Sequence, residues 1–254
     1  MSVYRLNDEL VFPDPGLADP NGLVAVGGDL SPERLLFAYS IGIFPWFNAG
    51  DPPLWWSPDP RSLLFPEKMH LSRSLRRAVR RGTFSVTVNR DFAAVVNSCA
   101  TIKRGKGEGT WITAEMEQAY GKLHRLGYAH SIECYREGEL EGGVYGVGLG
   151  PLFFGESMFS RCPDASKVAL LCLTGLMALR GGLFVDCQIP NPHLVSLGAV
   201  EYPRQVFLHW LREAGLQPVS RPLPSCVFSG GEDLDPQGLL AYLVRLQEAR
   251  GDIR

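Results

Sequence analysis

Lys167-Val168-Ala169-Leu170-Leu171-Cys172-Leu173-Thr174-Gly175-Leu176-Met177-Ala178-Leu179, then Arg180-Gly181-Gly182, then Leu183-Phe184-Val185-Asp186-Cys187-Gln188, is the stretch on which the fold of this chain turns. The first segment is apolar nearly all round, whereas a surface helix keeps one polar face, so the pattern predicts a helix at the centre of a domain. The two glycines end it, and the short apolar run after them reads as a buried strand. Upstream, His130 to Tyr135, Leu140 to Leu149 and Leu152 to Phe154 read as strands. Phe84 to Val88 alternates as another, and Asp91 to Ala100 reads as a helix. Thr113 caps an amphipathic helix with Met116, Ala119, Tyr120, Leu123 and Leu126 inward and Gly127 at its end. Downstream lies one more helix, about Gln205 to Ala214. A hairpin-rich sheet, a core helix and a further strand predict a three-layer α+β domain of α/β-like character.

The segments flanking this domain differ in composition. Residues 1–61 are dense in Pro and Gly, with one short helix started by Ser31-Pro32-Glu33 and stopped at Gly42. After it, Phe44-Pro45-Trp46-Phe47 and Leu54-Trp55-Trp56 form an aromatic cluster, either a mini-core or a wall for a ligand. Residues 230–254 read as an appended helix, started by Asp235-Pro236 and striped with Leu239, Leu240, Leu243, Val244 and Leu246. The expected organisation is therefore a small N-terminal domain (1–61), a catalytic-sized domain (62–229) and a terminal helix (230–254).

Composition sets limits. With 254 residues, 45% hydrophobic, the chain can bury a substantial core. The opening residues are polar and mixed, and the longest apolar run is interrupted by Thr174 and Gly175. It falls short of the roughly 20 residues a membrane span requires, so a cytoplasmic protein is expected. Six scattered cysteines form no C-x-x-C pair, and no metal is implied. Gly146-Val147-Gly148-Leu149-Gly150 lies between strands, so a dinucleotide reading fails.

Charge is unevenly placed. Between Met69 and Asp91 stand six arginines and no acid, although the net charge is -2. On a helix, Arg73, Arg76, Arg77, Arg80 and Arg81 fall within an arc of roughly 140°, with Leu71, Leu75, Ala78 and Val79 opposite. Charged faces usually mix signs, so an unneutralised stripe points to a partner outside the chain, and a phosphate backbone fits. The loop Lys103-Arg104-Gly105-Lys106-Gly107 adds to this basic surface.

Asp186 and Gln188 are the sharpest candidates for chemistry: they end a buried strand and, on a regular strand, would share a face. The alternative is an Asp capping a helix near His193. Glu156 sits among apolar and aromatic residues in Phe153 to Arg161, and needs a partner such as Arg161 or a shifted pKa. Cys187 with His193 could form a thiol scheme on spacing alone, which is weak evidence.

At these residues the chain resembles the leucyl/phenylalanyl-tRNA–protein transferases. The resemblance rests on Gly42 to Phe47, Trp55 to Arg61, Gly109 to Thr113, His130 to Glu133, Gly155 to Arg161, Asp186 to Gln188 and Ser196 to Ala199. It implies transfer of Leu or Phe from Leu-tRNA or Phe-tRNA to the N-terminal Arg or Lys of a protein, marking it for degradation. It also implies a catalytic domain like the acetyl-CoA-dependent N-acetyltransferases (the GNAT fold), no cofactor, and a monomer. Asp186 and Gln188 would serve catalysis, with Asp186 either a direct base or a relay through Gln188. Trp46, Trp111, Tyr120 and Glu156 would hold the aminoacyl-adenosine end. Val144, Met158, Leu170, Leu173, Met177 and Val185 would form the side-chain slot, and the five arginines would grip the acceptor stem. An acyl-CoA acetyltransferase and a non-catalytic RNA-binding module are the competing readings.

Overall fold

The computed structural model describes residues 3–102, 112–216, 228 and 231–251. The basic loop at Lys103 to Gly107, Trp111 and Cys226 lie outside these residues.

The N-terminal part builds a four-stranded sheet. Its strands are β1 (Tyr4–Leu6), β2 (Leu23–Gly27), β3 (Phe44–Pro45) and β4 (Leu54–Trp56), in the order β1-β2-β4-β3. Helix α1 (Pro32–Ser40) connects β2 to β3. Ser31 caps it by accepting from Arg34 N, as Ser-Pro-Glu predicts. Gly42 has φ +80° at its end.

Among the described residues the main sheet has eight strands in the order β11-β5-β10-β9-β8-β7-β6-β12. These are β5 (Arg61–Leu64), β6 (Ser85–Val88), β7 (Ala129–Arg136), β8 (Glu139–Leu149), β9 (Leu152–Ser160), β10 (Phe184–Gln188), β11 (Val200–Tyr202) and β12 (Glu232–Leu234). Strands β9 and β10 run parallel, and the other neighbours in this sheet are antiparallel. A parallel pair needs a crossover. Helix α5 (Ala165–Leu179) supplies it, and twelve of its residues are buried, as its all-round apolar sequence demands.

Helices cover both faces, which gives the three-layer α+β architecture expected from the sequence. On one face α3 (Phe92–Thr101), α4 (Ala114–Arg125) and α7 (Arg204–Glu213) share a single apolar cluster with Leu35, Tyr39, Phe44 and Trp55 of the N-terminal part. On the other, α2 (Arg73–Arg80) and α8 (Pro236–Gly251) pack against α5 through Leu75, Val79, Leu239, Leu240 and Leu243. Thr113 Oγ1 caps α4 by accepting from Met116 N, as expected. Leu126, expected to point inward, is instead 56% exposed, because α4 ends at Arg125.

A short helix, α6 (Pro192–Ser196), follows β10 and returns through Leu197-Gly198-Ala199 to β11. Gly198 has φ +102°, and a Cβ there would meet Lys68 O at 2.1 Å. His70 N donates to Leu197 O at 2.9 Å, so this turn is seated against the segment leading into α2. Glycine alone satisfies both the dihedral and the space. Gly198→Ala is expected to lose at least about 2 kcal/mol and several degrees of melting temperature. Thermal unfolding followed by circular dichroism checks this.

Candidate active site

The strand β10 leaves the sheet through a bulge, and that bulge makes the site. Asp186 stands opposite Leu63 and Gln188 opposite Ser62, so Cys187 is an extra residue in the ladder. Gln188 then takes φ +63°, a left-handed conformation that a residue with a side chain adopts at some cost. Gln188 N donates to Asp186 Oδ1 at 2.9 Å, which holds the turn. The two residues do not project alike, as an unbroken strand would require. Asp186 is fully buried, whereas Gln188 borders a cavity of about 680 Å³.

Asp186 faces Arg61, the last residue of the Trp55 to Arg61 motif. Arg61 Nε donates to Oδ1 at 2.8 Å and Nη2 to Oδ2 at 2.6 Å, a two-pronged ion pair with both side chains at 0% exposure. Arg61 Nη1 also donates to Gly42 O at 3.1 Å, and the guanidinium lies over the rings of Phe44 and Phe207. Sequence reading missed this partner. Nothing local signals it, because 125 positions separate the two residues.

Glu156 stands on β9 and borders the same cavity. Arg161 does not pair with it: its guanidinium donates to Leu140 O and Ser98 Oγ instead. Glu156 Oε1 accepts from Tyr39 OH and from Gln188 Nε2, both at 2.7 Å, and Oε2 lies 2.7 Å from Tyr120 OH. The two tyrosine oxygens are themselves 2.5 Å apart. Two hydroxyl protons cannot fill three oxygen–oxygen contacts while the carboxylate is ionised. With the carboxyl ionised both tyrosines donate to it, and with the carboxyl protonated a proton on Oε2 donated to Tyr120 would complete the ring through Tyr39 to Oε1. Burial pushes the Glu156 carboxyl up to about 7, against the hydrogen bonds from Tyr120, Tyr39 and Gln188 that favour its ionised form. Burial, reinforced by the charge of Glu156, raises both tyrosines well above their usual range, so they remain hydroxyls.

The cavity is otherwise apolar on one side. Val144, Met158, Leu170 and Val185 line it, while Leu173 and Met177 sit behind them in the core. Tyr120 likewise lies behind the wall, reaching the cavity through Glu156. Of the three tryptophans, Trp46 borders the opening and is 41% exposed. Trp56 packs edge-on against it and donates to its carbonyl oxygen, and Trp55 is buried with its Nε1 on Gly27 O. The aromatic cluster is thus both mini-core and wall. Cys187 and His193 also border the cavity. Burial and the charge of Asp186 push the Cys187 thiol far up, the opposite of what a thiolate nucleophile needs. Glu133, in the quoted His130 to Glu133 segment, is instead a buried anchor that accepts from Thr87 and Ser131 hydroxyls.

The arginine face forms as expected. Ser72 caps α2, Leu75 and Val79 are buried, and Arg73, Arg77, Arg80 and Arg81 are exposed. Arg76 is half-buried and turns its Nε onto Leu71 O at 2.9 Å. Among the described residues no ion pair reaches any of the five.

A buried carboxylate neutralised by one arginine, a left-handed glutamine and an apolar slot thus meet at one cavity. The sequence model described as leucyl/phenylalanyl-tRNA protein transferase matches residues 63–212, and that of its N-terminal domain matches residues 28–59. A leucyl/phenylalanyl-tRNA–protein transferase of Syntrophotalea carbinolica is 55% identical over 222 residues, covering 87% of this chain and 96% of that one. One of Anaeromyxobacter dehalogenans is 55% identical over 221 residues, 87% and 95% of the two chains. One of Escherichia coli O1:K1 is 52% identical over 227 residues, 88% and 96%. Among solved structures, L-PGS from Bacillus licheniformis aligns over 64% of this chain and 52% of its own at 12% identity, with a TM-score of 0.37, a slight likeness. The chain belongs to the leucyl/phenylalanyl-tRNA–protein transferase family.

Two outcomes follow from the geometry. Arg61→Leu leaves Asp186 buried and unpaired and should cost about 3–5 kcal/mol, while Arg61→Leu/Asp186→Leu recovers part of that loss. Urea unfolding of the two variants measures the difference. Glu156 titrates at about 7 when folded against an ordinary 4.5, so its neutral form stabilises the fold fully below 4.5 and that contribution is lost as pH rises through 7. Glu156→Gln, which cannot ionise, should therefore gain in melting temperature relative to the parent protein across that window.

Proposed function

We propose that this chain transfers Leu or Phe from aminoacyl-tRNA to the N-terminal amine of acceptor proteins beginning with Arg or Lys. The observation that carries the reading is Gln188, held at the cavity by a strained backbone and by Glu156 on its amide nitrogen. The grip on Nε2 leaves the carbonyl oxygen as the end that can meet an N–H. Family membership and the unpaired arginine face support the same reading.

The chemistry needs little beyond placement. The donor is an ester, already activated, and a peptide α-amine titrates near pH 8, so part of it is neutral at physiological pH. Attack forms an N–C bond, breaks the ester C–O bond, and moves one proton from nitrogen to the departing ribose oxygen. Gln188 Oε1 accepts the N–H of the attacking amine and aligns its lone pair with the carbonyl. Asp186 acts as a positioning residue: both its oxygens serve Arg61, and one also receives Gln188 N. That arrangement leaves neither oxygen free to act as a direct base and supports the orienting role. Val144, Met158, Leu170 and Val185 offer the apolar slot for Leu or Phe. Trp46 offers a face for stacking on the terminal adenosine. Trp111, Tyr120, Leu173 and Met177 remain candidates on the resemblance, the last three acting from behind the wall. Arg73, Arg77, Arg80 and Arg81, with Arg76, would hold phosphates of the acceptor stem. A cytoplasmic monomer that marks acceptors for degradation completes the proposal. No described helix is long and apolar enough to cross a membrane.

The test is incubation of the purified protein with Leu-tRNA or Phe-tRNA and peptides that begin with Arg, Lys, Glu or Asp. Mass spectrometry should show one added residue on the Arg and Lys peptides, and no product on any peptide overturns the proposal. Gln188→Ala should lower kcat at least about 100-fold with little change in KM for aminoacyl-tRNA.

A further inference from the structure

The arginine helix α2 is poorly equipped to hold itself in place. It has eight residues, where an isolated helix shorter than about 12–15 is marginal in water. Its like charges repel one another, and Arg73 stands at the N-terminal end, where the helix dipole disfavours a cation, although it favours Arg77 and Arg80 in the last turn. Its buried anchors are Leu75 and Val79.

The C-terminal segment supplies what is lacking. It lies beyond residue 212, where the matched family region ends. Strand β12 adds to the sheet edge beside β6, fastened by the Arg180–Glu232 and Arg90–Asp233 ion pairs. Helix α8 then lies along α5 so closely that a Cβ on Gly175 would stand 3.0 Å from Leu239 Cβ. From that seat it reaches both ends of the arginine segment. Gln237 Nε2 donates to Arg80 O, one of the carbonyls at the helix C-terminus that the helix itself leaves without a donor. Gln247 Nε2 donates at 2.7 Å to Met69 O, ahead of the helix, and Arg250 pairs with Glu67 at 2.6 Å. Contacts at the two ends fix the direction of a short rod better than any number at its middle.

We propose that the β12–α8 segment is a brace that sets the arginine helix in the orientation where it meets the phosphate backbone of a tRNA. The inference rests on the aminoacyl-tRNA reading above for its ligand, and on the contacts alone for the brace. Gln237 and Gln247 are positioning residues, since neither belongs to the cavity.

The experiment uses the full chain and the double variant Gln237→Ala/Gln247→Ala, with Arg245→Ala on the exposed side of α8 as control. KM for Leu-tRNA should rise about fivefold, the scale of one or two lost hydrogen bonds. Its dependence on salt concentration should flatten, and kcat at saturating tRNA should stay within about twofold. Amide hydrogen exchange should quicken in residues 73–81 and not in α5. The control should match the parent protein in all four readings. An unchanged KM overturns the proposal, as does a faster exchange spread evenly over the core, which would mean general destabilisation. If the parent protein makes no product, the functional reading has failed, and exchange in residues 73–81 still decides whether the brace exists.

Discussion

The pairing of Arg61 with Asp186 is the contact on which the site's construction depends. Removing both charges from water is expensive, and their attraction offsets that expense only with good geometry and every remaining donor satisfied. Here the geometry is two-pronged and Gly42 O accepts a further guanidinium N–H. The pair is therefore weak evidence for net stability and strong evidence for position. It ties β5 to β10, draws the Gly42 turn of the N-terminal part against the main sheet, and occupies both oxygens of the residue that holds the bulge. Hydrophobic residues of similar volume could fill the same space without fixing any of these three relations.

From that pair the site is built outward by constraint. Asp186 receives the Gln188 amide, so Gln188 turns left-handed and leaves the strand. Glu156 receives the Gln188 side chain, so its amide has one orientation. Glu156 in turn accepts from the hydroxyls of Tyr39 and Tyr120, and burial favours its protonated form. On the proposed reaction, a neutral Glu156 suits a cavity that admits an amine next to Gln188. An ionised one would attract the ammonium form, which cannot attack, whereas the neutral ring leaves the free amine at less of a disadvantage. The N-terminal part contributes Tyr39 to this ring, which is one reason its aromatic residues share a core with α3 and α4.

Much of the architecture was legible because it rests on local signals. The all-round apolar α5, the Gly-Gly stop and the buried β10 follow from sequence periodicity, as do the caps at Ser31, Ser72 and Thr113. What escaped was decided by distant neighbours. Strand β9 runs on through Gly155-Glu156-Ser157 to Ser160, where polar residues break the expected alternation because they face a cavity. Strands β1, β11 and β12 are three-residue edges that exist only through their partners. Asp186 and Gln188 were readable as a pair, but their shared face was not, since a bulge cannot be inferred from Val-Asp-Cys-Gln. Arg61 and Tyr39 stand 125 and 117 positions from the residues they serve, and neither carries a local mark of that role.

The placement of α5 joins the two halves of the proposed reaction. Leu170 of this helix borders the cavity, and Gly175 seats α8, which holds the arginine helix. Five residues of helix span about 7.5 Å, so slot and brace sit on one rigid rod barely more than a turn apart. A donor held by its phosphates and by its amino acid must satisfy both sites at once, and a flexible joint between them would let either hold without aligning the ester. With Leu, Cys and Met packed all round it, α5 has little freedom to rotate or slide. On the proposed reaction, the same apolar circumference that identifies the helix in the sequence would keep the distance between grip and slot from drifting. An activated ester asks for little else, because the barrier that remains is largely one of placement.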